Sequence, residues 1–345
     1  MIGMNISTLI DPEFSGVVSV AVDGRSVFRG EYGFADKANR VPNRIDTRFG
    51  TASAGKVFVA TAILGLIEKG DLRFDSTIGE ILKFDLKAID PGITVRQLLN
   101  HTSGIPDYFD ESVMTDYEEL WVDLPNYRIR KSSDLIPLFI EKPMMYGKGT
   151  RFQYNNTGYV VLGLIIEELT GKPFDVYLNE AIFDPSGMTD TGYYELDRLP
   201  ARCAFSYIFD EERQEFRTNI FSIDAKGSGA GGAFTTAPDV EKFWAALICG
   251  SLICGSSICG SSICGSSIRS DLVGEMCRPQ VDEGIYGYGL WLLDGGVPSF
   301  QGCDPGANFI TSYDRSNRRS ITILSNIDFD VEELHEKIRA TTEIR

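Results

Sequence analysis

The sequence predicts an α/β fold of the α+β type: one antiparallel sheet built from both chain ends, flanked by helices, with a mainly helical region inserted between. Three observations carry this expectation. Runs rich in β-branched residues lie near the two termini. Long apolar stretches of helix formers fill the middle. Strands at both ends with helices between them are most economically joined in one sheet with an inserted subdomain.

Each element has a local reason. Val17, Val18, Val20 and Val22 suit a strand, and Asp23-Gly24 is a hairpin signal that returns the chain through residues 26–34. Residues 57–69 are apolar helix formers, and Gly70 sits where a helix stops. Residues 94–100 read as a short helix running into the loop His101-Thr102-Ser103-Gly104. Residues 158–169 (GYVVLGLIIEEL) form a second strong helix closed by Thr170-Gly171, and residues 239–247 a third. Strands follow at 288–293, 307–313 and 319–324, the last two separated by the polar turn Asp314-Arg315-Ser316-Asn317. A helix over 331–340 closes the chain. A single domain over 1–345 is expected, with its sheet region at about 1–52 and 283–345 and its helical region at about 53–282.

Composition narrows the function. Of 345 residues, 49 are acidic against 33 Lys and Arg, a net charge of −16 that disfavours nucleic acid or an anionic membrane as partner. No apolar run approaches the roughly 18–20 residues of a membrane span. The N-terminus lacks a basic segment followed by an apolar run, so a cytoplasmic location is expected, where an odd count of seven Cys fits free thiols. Only two histidines, His101 and His335, are present. That leaves little room for a His-based metal site or a His-dependent triad, and no cofactor or metal is expected.

Residues 248–267 read ICGSL-ICGSS-ICGSS-ICGSS, and four of the seven Cys fall there: Cys249, Cys254, Cys259 and Cys264. Four thiolates could hold zinc, but the even spacing lacks the paired knuckle of structural zinc sites. A short pentad coil is another reading. The simplest is a repeat expanded in a surface loop, because long loop insertions cost little closure entropy.

Two motifs carry chemistry. In Ser53-Ala54-Gly55-Lys56 the Ser and Lys lie one turn apart on one face of an opening helix. Burial and the positive helix terminus lower the lysine pKa, so a neutral amine can take the serine proton. The plainer reading is a helix-capping Ser with an exposed Lys. Tyr154-Asn155-Asn156 precedes the second strong helix and could set a phenol and a carboxamide beside Ser53; otherwise the Tyr packs and the Asn caps.

With these motifs the chain resembles the serine β-lactamase and penicillin-binding-protein-like hydrolases, in the branch of class C β-lactamases, D-aminopeptidases, DD-peptidases and related esterases. The resemblance extends to FSGVVSVAVDG (14–24), TRFGTASAGK (47–56), LLNHTSGIPDY (98–108), FQYNNTGYVVLG (152–163), PSGMTDTGY (185–193) and GAGGAFTTAPDVEKF (229–243), in the family's order. It implies a β-lactamase/transpeptidase-like fold. It makes Ser53 the acylated nucleophile, Lys56 its proton partner and Tyr154 a general base or acid, with a phenolate as one option. Asn156 would bind the substrate carbonyl or hold the Lys56 ammonium. His101 is implied to be structural.

The third family motif departs from the pattern. Relatives carry Lys-Thr-Gly, His-x-Gly or, in some esterases, Trp-Gly-Gly on the strand lining the site; the matching triplet here is Phe300-Gln301-Gly302, and the resemblance implies that the Ser53 and Cys303 backbone amides form the oxyanion hole. A Phe in place of a cation is expected to remove recognition of a substrate carboxylate. The expected function is therefore a serine hydrolase acting on a small ester, amide or peptide, an esterase or D-amino-acid amidase/peptidase. The alternatives are a β-lactamase or DD-carboxypeptidase, or a catalytically weak sensor.

Overall fold

The computed structural model describes residues 6–249, 252 and 270–343. The N-terminal strands β1 (Gly16–Val22) and β2 (Arg25–Tyr32) are joined by Asp23-Gly24, both at positive φ (53° and 69°) as a tight hairpin turn demands. Four strands come from the other end of the chain: β3 (Trp291–Leu293), β4 (Val297–Asp304), β5 (Ala307–Asp314) and β6 (Arg319–Ser325). They form one six-stranded sheet in the order β2-β1-β6-β5-β4-β3. Strand β1 pairs antiparallel with β6, Gly16 opposite Ser325 and Val22 opposite Arg319, so the two ends of the chain meet in mid-sheet as expected.

Five helices matter to the site: α1 (Lys56–Lys69), α2 (Val95–Leu99), α3 (Asn156–Thr170), α4 (Ala237–Ile248) and α5 (Val331–Glu343). Gly70 (φ 80°) and Gly171 (φ 69°) end α1 and α3 in the left-handed conformation that glycine adopts without strain. Alternation along the strands sends side chains to two cores. Val18, Val20, Ile310 and Ile323 pack with Leu334 and Ile338 of α5 on one face. Val17, Phe300, Phe309 and Leu324 join α1, α3 and α4 on the other.

Two details differ from the expectation. The middle of the chain is less helical than its apolar runs suggest. Between α2 and α3 it is carried by short 3-10 turns (Tyr117–Trp121, Asn126–Arg128, Ser132–Leu138), and Tyr207–Asp210 pairs with Glu215–Thr218 as a hairpin. The strand expected over 288–293 begins only at Trp291. At Gly289 (φ 71°) the chain turns against α1, where a Cβ would come within 2.6 Å of Ala60. Strand β4 is absent from the hydropathy pattern because Pro298 and Gly302 break its alternation. The pentad array, apart from Ile248, Cys249 and Leu252, lies outside the described residues.

Candidate active site

Ser53 lies in a 3-10 turn, Ala52–Gly55, and α1 starts only at Lys56. The turn is tight. Ala52 is held at φ 47°, a conformation costing a non-glycine residue about 1–3 kcal/mol. Two glycines let neighbouring backbone press against it. A Cβ on Gly302 of β4 would stand 2.5 Å from the Ser53 nitrogen, and one on Gly231 (φ 152°) 2.3 Å from the Ala52 carbonyl oxygen. Gly302 therefore fixes where β4 passes the serine, and it leaves Cys303 bordering the cavity in front of Ser53.

Lys56 is 2% exposed, which excludes the reading of a solvated lysine. Its Nζ donates to Ser53 Oγ (2.9 Å), to Asn156 Oδ1 (2.8 Å) and to the Ala230 carbonyl (2.6 Å). Burial lowers its pKa to about 8, against the opposing pull of Glu111, Asp107 and Asp304. The Asn156 amide is oriented from behind: its Nδ2 donates to the Phe109 carbonyl (3.1 Å) and Glu111 Oε1 (3.2 Å), turning Oδ1 to the lysine. Asn156 is also the first residue of α3, and its backbone amide and that of Thr157 donate to the Asp107 carboxylate (2.9 and 3.0 Å). Burial raises the Asp107 pKa to about 7.

The Tyr154 ring centre lies 4.9 Å from Lys56 Nζ, and its hydroxyl is close enough to Ser53 for that side chain to pull the phenol's pKa down against burial. The ring stacks on Trp291 (5.6 Å) and packs on His101 (4.5 Å). Burial pushes the Tyr154 pKa well above its ordinary value of 10, which favours the phenol over the phenolate. His101 sits beneath, its Nδ1 accepting from the Asn155 amide (3.0 Å) and its ring among Tyr154, Tyr159 and Tyr286. Burial drives its pKa well below 6.5 and keeps it neutral.

The third triplet is brought only partly to the site. Phe300 does not border the cavity: its ring is buried in the core against Trp244 (5.1 Å), Phe243 (5.6 Å) and Phe309 (5.6 Å). Gln301 points to the α5 side and donates to Glu332 Oε1 (2.7 Å). Only Gly302 and Cys303 stand beside Ser53. The physical reason is the neighbourhood: a phenyl ring meets four other aromatic side chains on that face, where a cation would have had to be desolvated.

In front of Ser53 opens a cavity of about 500 Å³. The pattern of the chain gives no hint of its lining, which carries four carboxylates, Glu111, Asp224, Asp304 and Asp328, and no Lys, Arg or His among the described residues. The acids sit in loops or at a strand end, with no spacing to announce them. A serine hydroxyl touching a buried lysine and a neutral phenol, opening on a cavity, can attack a carbonyl and return a proton to a leaving group.

Comparison with known proteins agrees. The Beta-lactamase family model matches residues 10–344. A penicillin-binding protein from Bacillus halodurans superposes with a TM-score of 0.87 at 35% identity, covering 97% of this chain and 99% of that one. Esterase EstB of Burkholderia gladioli is 30% identical over 67% of this chain and 64% of its own length. D-aminopeptidase of Brucella anthropi is 32% identical over 50% of this chain and 31% of its own, so the chain spans less than two thirds of either of these two relatives. The chain belongs to the Beta-lactamase family and is a serine hydrolase.

Proposed function

We propose that Ser53 is the acylated nucleophile of an esterase or D-amino-acid amidase, with Lys56 as its base. The observation that carries this reading is the 2.9 Å contact between Lys56 Nζ and Ser53 Oγ, on a lysine whose pKa burial lowers to about 8. As a neutral amine Lys56 still donates to Asn156 and Ala230, and its lone pair then accepts the Ser53 proton. Oγ adds to the substrate carbonyl, and the backbone amides of Ser53 and Cys303 hold the resulting oxyanion. The Tyr154 phenol gives its proton to the departing alkoxide or amine and regains one from the Lys56 ammonium. Water then enters, gives a proton back through the same pair and releases the acid and free Ser53.

A cavity lined by carboxylates repels a substrate carboxylate, which argues for uncharged esters and amides over β-lactams and D-Ala-D-Ala peptides. Accordingly p-nitrophenyl butyrate should have a kcat/KM at least about a hundredfold above that of nitrocefin; a nitrocefin preference contradicts this specificity. Among the described residues Cys203, Cys277 and Cys303 carry free thiols, which fits a reducing compartment such as the cytoplasm. Cell fractionation tests that placement.

A further inference from the structure

His101 takes no part in the proton transfers above, yet it holds the residue that does. Residues 151–155 lie in no helix or strand, so the place of Tyr154 depends on what grips this loop. One residue holds the backbone amides on both sides of it. The Gln153 amide donates to the His101 carbonyl (3.0 Å), and the Asn155 amide donates to His101 Nδ1 (3.0 Å). The imidazole packs on the Tyr154 ring itself, 4.5 Å between centres. His101 is fixed in turn. It is buried, it stands at φ 58° in the left-handed region, and its carbonyl also accepts from the Tyr146 hydroxyl (3.4 Å). An apolar ring could fill the same space among Tyr154, Tyr159 and Tyr286, but only an acceptor at the Nδ1 position satisfies the buried Asn155 amide. Burial and the charge of Lys56 keep the ring neutral, so Nδ1 retains the lone pair that this bond requires.

We propose that His101 is the positioning residue of Tyr154: by holding the amides of Gln153 and Asn155 and packing on the ring, it sets the phenol where the leaving group departs. This rests on the hydrolase reading above and deepens it. His101 does not border the cavity in front of Ser53, so it acts through Tyr154 and not on the substrate. The effect is therefore selective. A loosened phenol harms the step that needs its proton, and the loss grows as the leaving group becomes more basic. A general loosening of the fold would instead slow every substrate alike.

Two variants of the full chain test this. His101→Phe keeps a flat ring on Tyr154 and removes the acceptor; His101→Asn restores an acceptor, its Oδ1, near the Nδ1 position and tolerates a positive φ. The substrates are p-nitrophenyl, phenyl and ethyl butyrate, in order of increasingly basic leaving group. In His101→Phe, kcat/KM should fall only about threefold on the first and about thirtyfold on the last, and His101→Asn should recover most of that loss. With Tyr154→Phe already in place, adding His101→Phe should cost less than about threefold on ethyl butyrate, because the residue it positions has lost its proton. Amide hydrogen exchange over residues 153–155 reads the hold without turnover: it should quicken about tenfold or more in His101→Phe and stay near the unaltered rate in His101→Asn. Should His101→Phe not fold, His101→Gln, whose carboxamide lies one bond farther out, takes its place with the same expectations. An equal loss on all three esters, a loss undiminished in the Tyr154→Phe background, a folded His101→Asn as impaired as His101→Phe, or unchanged exchange in the folded Phe or Gln variant overturns the proposal. Absence of any ester hydrolysis by the unaltered protein would count against the hydrolase reading, while the exchange rates still decide the hold.

Discussion

The two sides of Ser53 differ in how their polar groups are satisfied. Behind it, Lys56 spends its three donors on Ser53, Asn156 and Ala230, and Asp107 accepts from two backbone amides and the Thr157 hydroxyl. In front, Asp224 Oδ1 has no donor among the described residues, and acids outnumber their partners. A satisfied, buried network holds one geometry and keeps one proton mobile; an open cavity leaves room for a substrate. Machinery and recognition are thereby separated across a single serine, and each side can be broken alone.

The largest expected effect is on the satisfied side. Lys56→Met keeps the volume and removes the base, and should lower kcat/KM on p-nitrophenyl butyrate by about a thousandfold, within the range of general-base losses. Circular dichroism would confirm folding; retention of activity would transfer the role of base elsewhere. Next comes Gly302→Val, whose Cβ would strike the Ser53 turn at 2.5 Å and whose branches would push β4 outward. A displacement of that size should cost about a hundredfold in kcat/KM with the fold intact. Tyr154→Phe keeps the stack on Trp291 and removes the phenolic proton. It should cost about a hundredfold on amides and less on p-nitrophenyl esters, whose leaving group needs no proton.

The smallest effect is in the pH profile. With a folded-state pKa of about 8, Lys56 is about a tenth neutral at pH 7. Since the neutral form is the base, kcat/KM for an uncharged ester should rise about tenfold per unit up to pH 8 and then level off. His101 stays neutral through that range, because burial holds its pKa well below 6.5. An inflection near 6.5 instead of 8 would put an imidazole in the mechanism.

The same division governs what could be read from the sequence. The sheet from both chain ends was legible because β1 and β6 are rich in β-branched residues (Val17, Val18, Val20 and Val22; Ile321, Thr322 and Ile323) and β5 carries Phe309, Ile310 and Thr311 before a polar turn, and α1 and α3 because both are apolar and end at glycine. The motif residues Ser53, Lys56, Tyr154 and Asn156 converge because each sits at or just before the start of a buried helix, a short-range feature. Phe300 was misplaced because a strand position fixes which face a side chain takes, and the four aromatic neighbours that draw it inward come from α1, α4 and β5, far apart in the chain. The acid wall stayed invisible for the same reason. Glu111, Asp224, Asp304 and Asp328 come from four distant segments, and among 49 acidic residues nothing local distinguishes them.

The nucleophile itself offers the most direct measurement. The unaltered protein, incubated with a fluorophosphonate and weighed intact, should gain the mass of one phosphonyl group. Ser53→Ala should gain none, and Lys56→Met should label far more slowly. A stoichiometric adduct that persists in folded Ser53→Ala, or no adduct on the unaltered protein together with no ester hydrolysis, would contradict a Ser53 acyl-enzyme.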